Sequence, residues 1–128
     1  MKLVPILTVA LGLLVGCARE TWVEGGLYYT PSEAGGFSVV KILKVDEKGV
    51  HVRVYSNGLA EPPTRIDEDS LFLAGINRQP GESLGLGHLP VSRASFALWQ
   101  AVFVQQSTVA DEELEGYRDW LEAKGGYF

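Results

Sequence analysis

Residues 37–55 read FSVVKILKVDEKGVHVRVY, and this stretch decides the fold class. Its first part is apolar at most positions, and side chains of an extended chain alternate between two faces. A strand that is apolar on both faces lies in the interior of a sheet. The stretch therefore predicts a central strand, with two apolar faces made of Phe37, Val39, Leu43 and Val45 on one side and Val40 and Ile42 on the other.

The second part of the stretch completes a β-hairpin. Residues 46–49 form a tight connection in which Gly49 can adopt a positive φ. In residues 50–55 three valines alternate strictly with larger polar or aromatic side chains, which is the period of a strand with two different faces. We therefore predict an antiparallel pair of strands, with His51 and Arg53 on the face opposite the valines.

Shorter signals on both sides of the hairpin complete the predicted domain. Residues 27–30 and 101–105 predict a first and a last strand, and Ser92 can cap a short helix. Residues 108–111 have the pattern of a capping box, followed by apolar residues at helical spacing and a pair of glycines. About five strands and a C-terminal α-helix predict a small α+β domain. It is either an antiparallel β-sheet or an SH3-like, partly open barrel.

The N-terminal residues carry a signal of a different kind. Lys2 precedes a mostly apolar run, Leu3–Val15, that is shorter than the about 20 residues needed to span a membrane as a helix. The run ends in Leu14-Val15-Gly16-Cys17, which resembles the lipobox of bacterial lipoprotein precursors. The resemblance implies that residues 1–16 are a cleaved signal peptide. It also implies that Cys17 carries a diacylglycerol on its thiol and usually an acyl chain, such as palmitate, on its new amino terminus.

The same resemblance implies a domain organisation and a location. Residues 17–21 would be a lipidated tether, and residues 22–128 a single globular domain. At about 3.5 Å per residue, this tether keeps Trp22 within roughly 17 Å of the lipid. We expect the protein on the extracytoplasmic side of a cell membrane. Because Ala18 and not aspartate follows the cysteine, a Gram-negative source implies the periplasmic face of the outer membrane.

Composition limits the chemistry and the partners of the domain. The net charge is −5, which disfavours nucleic acid and electrostatic binding to anionic lipid. The chain has two histidines and one cysteine, without the paired spacing that is typical of metal sites. It also lacks the G-x-S-x-G pattern of a nucleophilic serine. We therefore predict no metal, no cofactor and no catalytic residue.

Two segments are candidates for binding a partner protein. Residues 79–90, QPGESLGLGHLP, predict an irregular loop, and loops often carry functional sites. Residues 111–122 predict an acidic helix, which is either a solvated face or a contact for a basic partner. The candidate contact residues are Leu84, Leu86, His88 and Leu89 in the first segment and Asp111, Glu112 and Glu115 in the second.

Three functions are compatible with these features. The leading prediction is a lipid-anchored cell-envelope protein with a non-enzymatic binding or structural role. The second is an acidic inhibitor or immunity lipoprotein that blocks a basic envelope hydrolase or toxin through residues 111–122. The third is an enzyme that acts on the envelope, for which His88 is the residue to test.

Overall fold

A computed structural model describes residues 21–128. The predicted signal peptide, the predicted lipobox with Cys17 and the predicted tether up to Glu20 lie outside these residues. The strands are β1 (Gly26–Pro31), β2 (Phe37–Val45), β3 (Gly49–Leu59), β4 (Leu86–Ser92) and β5 (Val102–Gln106). The helices are α1 (Arg93–Ala97) and α2 (Glu115–Glu122), and 3₁₀ turns lie at Glu68–Ser70, Gly75–Asn77 and Asp111–Leu114.

The five strands form one antiparallel sheet in the order β4-β3-β2-β1-β5. Among the described residues, β4 and β5 each pair with one strand only, so the sheet has two edges and is open. Of the two predicted arrangements, the small antiparallel sheet is therefore the one observed. With the C-terminal helix, it confirms the α+β class.

The predicted hairpin forms the centre of this sheet. Val40 of β2 lies opposite Val54 of β3, and Ile42 lies opposite Val52. Both faces of β2 are buried, as its sequence predicts, because Val39 packs in one apolar cluster while Val40 and Ile42 pack in another. The sheet therefore has an apolar layer on each side.

Val45 lies on the opposite face from the one that simple alternation predicts. The register between β2 and β3 shifts between Ile42 and Lys44, which marks a β-bulge. The irregularity breaks the period of two, so Val45 packs with the cluster of Val40 and Ile42 and not with Val39. A bulge also increases the local twist of the strands.

Helix α1 covers one face of the sheet. Phe96, of which 1% is exposed, packs edge-on against Trp22 with ring centroids 5.0 Å apart. The ring centroid of Trp99 lies 5.2 Å from that of Phe96. Ser92 caps this helix by accepting a hydrogen bond from the backbone N–H of Ser95, as predicted. Within residues 21–128, none of the helices has the length and apolarity required to cross a membrane.

The prediction of an irregular loop over residues 79–90 is wrong for its second half. Residues 86–92 form β4, in which Leu89 lies opposite Val52 and Pro90 lies opposite His51. Pairing with β3 overrides the low strand propensity of the local glycines. Proline is tolerated here because β4 is an edge strand, where a missing N–H breaks no central ladder.

The C-terminal helix begins and ends differently from the prediction. Glu113, and not Asp111, supplies the carboxylate of the N-terminal cap, because its Oε1 accepts from the backbone N–H of Ala110 at 2.8 Å. At the other end, Lys124 adopts a left-handed φ of 54°. The N–H of Gly125 then bonds to the carbonyl of Trp120 at 2.9 Å, which is the closing bond of a Schellman motif.

We expect Phe96→Ala to reduce the free energy of unfolding by about 3–5 kcal/mol, because it opens a cavity between α1 and the sheet. Leu98→Ala is the matched control, since Leu98 is 82% exposed just beyond the same helix. It should change the free energy by less than about 0.5 kcal/mol. Urea denaturation measures both. Equal losses in the two variants would contradict the placement of α1 on the core.

Candidate functional site

His51 on β3 is the centre of a chain of hydrogen bonds under the C-terminal residues. Its Nδ1 lies 2.9 Å from Nε2 of His88 on β4, and its Nε2 lies 2.9 Å from the hydroxyl of Tyr127. The Tyr127 hydroxyl in turn donates to Asp46 in the β2–β3 turn. We call these four residues the histidine chain. It joins two strands, one turn and the segment after α2.

The hydrogens of the histidine chain have one consistent arrangement when both imidazoles are neutral. Because the Asp46 carboxylate can only accept, Tyr127 donates to it, and the Tyr127 oxygen accepts from Nε2–H of His51. His51 Nδ1 then carries no hydrogen and accepts from Nε2–H of His88. The donors therefore point in one direction, from His88 to Asp46.

Aromatic rings enclose His51, whose exposed fraction is 0%. The ring centroids of Tyr117 and Trp120, both on α2, lie 4.7 and 4.4 Å from that of His51. Burial lowers the pKa of His51, and attraction to Asp46 only partly opposes this effect. Burial, followed by repulsion from His51, also lowers the pKa of His88. Both histidines therefore favour the neutral form near neutral pH.

The β2–β3 turn is shaped to receive Tyr127. Burial alone would raise the pKa of Asp46, but hydrogen bonds from Tyr127 and from the backbone N–H groups of Gly49 and Lys48 lower it overall. Gly49 is not among the described residues with positive φ, contrary to one reason for predicting it. It is needed for space, because a Cβ at this position would collide with the backbone carbonyl oxygen of Val91 and would lie 2.7 Å from the Tyr127 ring.

A buried ion pair lies beside the histidine chain on the same face of the sheet. Lys41, of which 5% is exposed, donates from Nζ to both carboxylate oxygens of Glu113, at 2.9 and 3.2 Å. Arg53 Nη1 lies 3.8 Å from the same carboxylate. The pKa of Glu113 is lowered, since its hydrogen bonds and these cations outweigh its burial. Burial, with the Glu113 charge next in size, raises the pKa of Tyr55 to about 12.

The second feature is an open groove on the face of the sheet that α1 covers. It has a volume of about 1050 Å³ and lies between the β1–β2 loop, residues 78–84 and the end of α1. The hydroxyls of Ser38 and Ser83 lie 2.9 Å apart within it, which ties the loop to β2. Its apolar lining includes Val40, Val54, Leu84, Leu98 and Trp99.

The structure places the predicted contact residues in four separate regions. Leu84 lines the groove, whereas His88 belongs to the histidine chain on the opposite face. Leu89 packs against the core, and Leu86 lies opposite Val54 in the sheet, so both have structural roles. The acidic residues Asp111, Glu112 and Glu115 are exposed at the start of the C-terminal helix.

The sequence did not identify the residues that complete the histidine chain or the groove. The alternation of the sequence placed His51 on the correct face of β3. A histidine on β3, next to the central strand β2, requires other residues to cover it. The signal for that cover was the cluster of aromatic residues after residue 116, but the sequence does not say which of them approach the strand. For the groove, the sequence indicated only residues 79–84, because the rest of its lining comes from β1, the β1–β2 loop, β2, β3 and the end of α1.

Neither histidine belongs to a candidate metal site among the described residues. Within residues 21–128, no three His, Cys, Asp or Glu side chains are grouped so that they could hold a metal ion. Comparison of the chain with protein-family models, with curated proteins and with solved structures finds no match in any of the three. Proposals about function therefore rest on the contacts of this chain's own residues.

We expect Tyr127→Phe to destabilise the protein by about 1–3 kcal/mol, because it leaves the buried Nε2–H of His51 without an acceptor. Tyr29→Phe is the matched control. The Tyr29 ring packs on Phe37, and within residues 21–128 its hydroxyl makes no hydrogen bond. Denaturant unfolding should separate the two variants clearly. If both lose the same small amount, the hydroxyl of Tyr127 does not hold the histidine chain together.

Proposed function

We propose that this chain is a lipid-anchored cell-envelope protein, without enzymatic activity, that binds an extended segment of a partner protein in the groove. The lipobox ending at Cys17 supports the anchor. The open groove beside α1 is the single observation that carries the binding role. No metal or cofactor enters this proposal.

The shape of the groove favours a polypeptide over a small molecule. Small-molecule sites typically bury about 70–90% of their ligand, which an open groove does not do. A second recess of about 390 Å³, lined by Gly36, Gly58 and Leu59, lies next to it, and Gly81 lines both. An extended chain could contact both recesses across Gly81.

The chemistry of the rim favours a segment with apolar side chains. Leu84 is 41% exposed and Leu98 82% exposed at the rim, and exposed apolar side chains beside a groove are typical of interaction sites. The carboxylates of Glu33 and Glu82 also lie along it, with Arg78. Together with the acidic net charge, these two carboxylates disfavour nucleic acid as the occupant.

The inhibitor or immunity function has its own supporting surface. Asp111, Glu112 and Glu115 are exposed and would be available to a basic partner. The surface is weaker than the sequence suggests, because Glu113 is paired with Lys41, and Asp111 accepts from Arg118 at 2.5 Å. The acidic helix is therefore our second candidate for the partner contact.

The enzymatic alternative would have to use the histidine chain. His51 is closed off from solvent by α2 and Tyr127, so a substrate could only meet His88. His88 is itself paired with His51, which gives it a structural role. We therefore keep this alternative as the third, to be tested by envelope phenotype in a His88→Ala strain.

We expect the protein extracted from membranes to begin at Cys17 and to carry added acyl mass. Intact-mass spectrometry of the wild type and of Cys17→Ala measures this. The variant should lack the acyl mass and should leave the membrane fraction. Retention of residues 1–16 by the wild type, or cleavage without lipid, would contradict the anchor and leave the groove unaffected.

We expect a photoreactive side chain at position 98 to crosslink one defined segment of a partner protein in membranes of the native host. A synthetic peptide of that segment should bind the protein purified from membranes. Leu98→Glu should weaken this binding at least about tenfold, which corresponds to 1.4 kcal/mol. Glu112→Gln is the matched control and should not change it.

The same experiment separates the two candidate surfaces. A photoreactive side chain at position 112 that captures a basic partner, with binding that weakens steeply as salt rises, would favour the inhibitor function. A crosslinked segment that fails to bind as a peptide, or that binds Leu98→Glu as well as the wild type, would exclude the groove.

A further inference from the structure

We propose that residues 111–128 form a pH-dependent latch, which mild acidification releases from the sheet so that His51 and the outer edge of β4 become accessible. We call these residues the C-terminal latch. The proposal concerns the face of the sheet opposite the groove. It is independent of the lipid anchor and of any partner bound in the groove.

Three sets of contacts hold the C-terminal latch on the sheet. At its start, Glu113 pairs with the buried Lys41. At its end, the N–H of Phe128 donates to the carbonyl of Pro90 at 3.1 Å, and the N–H of Ser92 donates to the carbonyl of Phe128 at 3.0 Å. Between these contacts, the middle of the latch packs on His51 and His88, which we call the histidine pair. Both rings are titratable.

The middle contact is packed closely on both histidines. A Cβ at Gly116 would lie 2.6 Å from Cβ of His88, so the backbone of α2 passes directly over that side chain. Tyr117, Trp120 and Tyr127 surround His51 in edge-on contacts. Docking of the latch therefore removes water from the imidazole of His51 and covers part of the His88 side chain.

The docked arrangement has room for one additional proton on the pair but not for two. A first proton on Nδ1 of His88 leaves the His88–His51 hydrogen bond in place. A second proton, on Nδ1 of His51, would direct two N–H groups at each other across 2.9 Å. It would also place two cations in nearly coplanar rings whose centroids lie 5.1 Å apart. Release of the latch admits water and removes both conflicts.

The charged groups around His51 and His88 compensate only in part for added positive charge. On the carboxylate side, Asp46 lies 3.6 Å from His51, and Glu113 is already paired with Lys41. Among the cations, Lys44 lies over the Tyr117 ring at 5.7 Å. Arg53 donates to the backbone carbonyl of Gly87, next to His88, at 3.3 Å. The neutral hydroxyls of Tyr117 and Tyr127 complete the surroundings. Three cations, which are Lys41, Lys44 and Arg53, thus lie around two carboxylates, which are Asp46 and Glu113.

The direction of the pKa shifts gives the pH window of release. Both histidine pKa values are lowered in the docked state from an ordinary value of 6.5. Their contribution to docking is therefore complete above pH 6.5 and is lost as the pH falls below it. The pKa values of Asp46 and Glu113 are lowered from 3.8 and 4.5, so these carboxylates lose their contributions only at lower pH. A pH of about 5.5 isolates the histidines.

Hydrogen exchange measured by mass spectrometry at about pH 7.5 and 5.5 tests the latch in the protein purified from membranes, after correction for intrinsic exchange rates. We expect the protection of α2 and the residues after it to fall at the lower pH by up to about tenfold for each histidine. The protection of β2 and β3 should stay constant. An unchanged α2 would overturn the proposal.

The matched variants are His88→Gln and the double variant His51→Gln, His88→Gln, in which a neutral amide replaces each imidazole. The single variant should lose part of the pH response, and the double variant should lose all of it. A response that persists in the double variant would overturn the proposal. Since His51 is central to the packing, NMR titration of both rings in the wild type is the second measurement. If both histidine rings titrate near pH 6.5 while α2 remains protected from exchange, this result would also overturn the proposal.

Discussion

The burial of Lys41 and His51 in the middle of the sheet is the constraint on which the structure depends. An unpaired charge or an unpaired polar group is costly to bury, so each of these side chains requires a partner on the same face. The hairpin itself offers Lys41 no carboxylate partner, and it offers His51 only Asp46, whose carboxylate lies 3.6 Å away. Glu113 and Tyr127 supply the partners from 72 and 76 residues further along the chain. The path of the C-terminal residues across the sheet follows from this requirement.

The two faces of the sheet meet the need for a cover in different ways. On the face of Val40 and Ile42, apolar contact with Phe96 and its neighbours is sufficient, and part of the face is left open as the groove. On the face of His51, the covering residues form polar and directional contacts. The donor–acceptor direction of each hydrogen bond in the histidine chain determines that of the next. The first face is suited to accept a variable segment of a partner. The second is suited to respond as a unit to a change in protonation.

The sequence was informative wherever one segment carries its own pattern. The alternation in residues 50–55 predicted β3 and the face of His51, and the two apolar faces of β2 predicted its central place. It failed where a neighbour decides the outcome: pairing with β3 makes a strand of residues 86–92, and a bulge turns Val45 over. The candidate site was harder to predict for the same reason. His88 was singled out, but Asp46 and Tyr127 meet His51 only in the folded chain.

The distance along the chain between the partners of the buried polar groups also bears on how the protein folds during synthesis. A chain that emerges N-terminus first presents β1, β2 and β3 long before Glu113 and Tyr127 are available. Contacts between residues so far apart in sequence form slowly, because a large loop must close before they contribute. Until then Lys41 and His51 keep one face of the hairpin in water. We therefore expect this face of the sheet to be covered only after residues 113–127 have been synthesised, so that the last residues made are the ones that complete the fold.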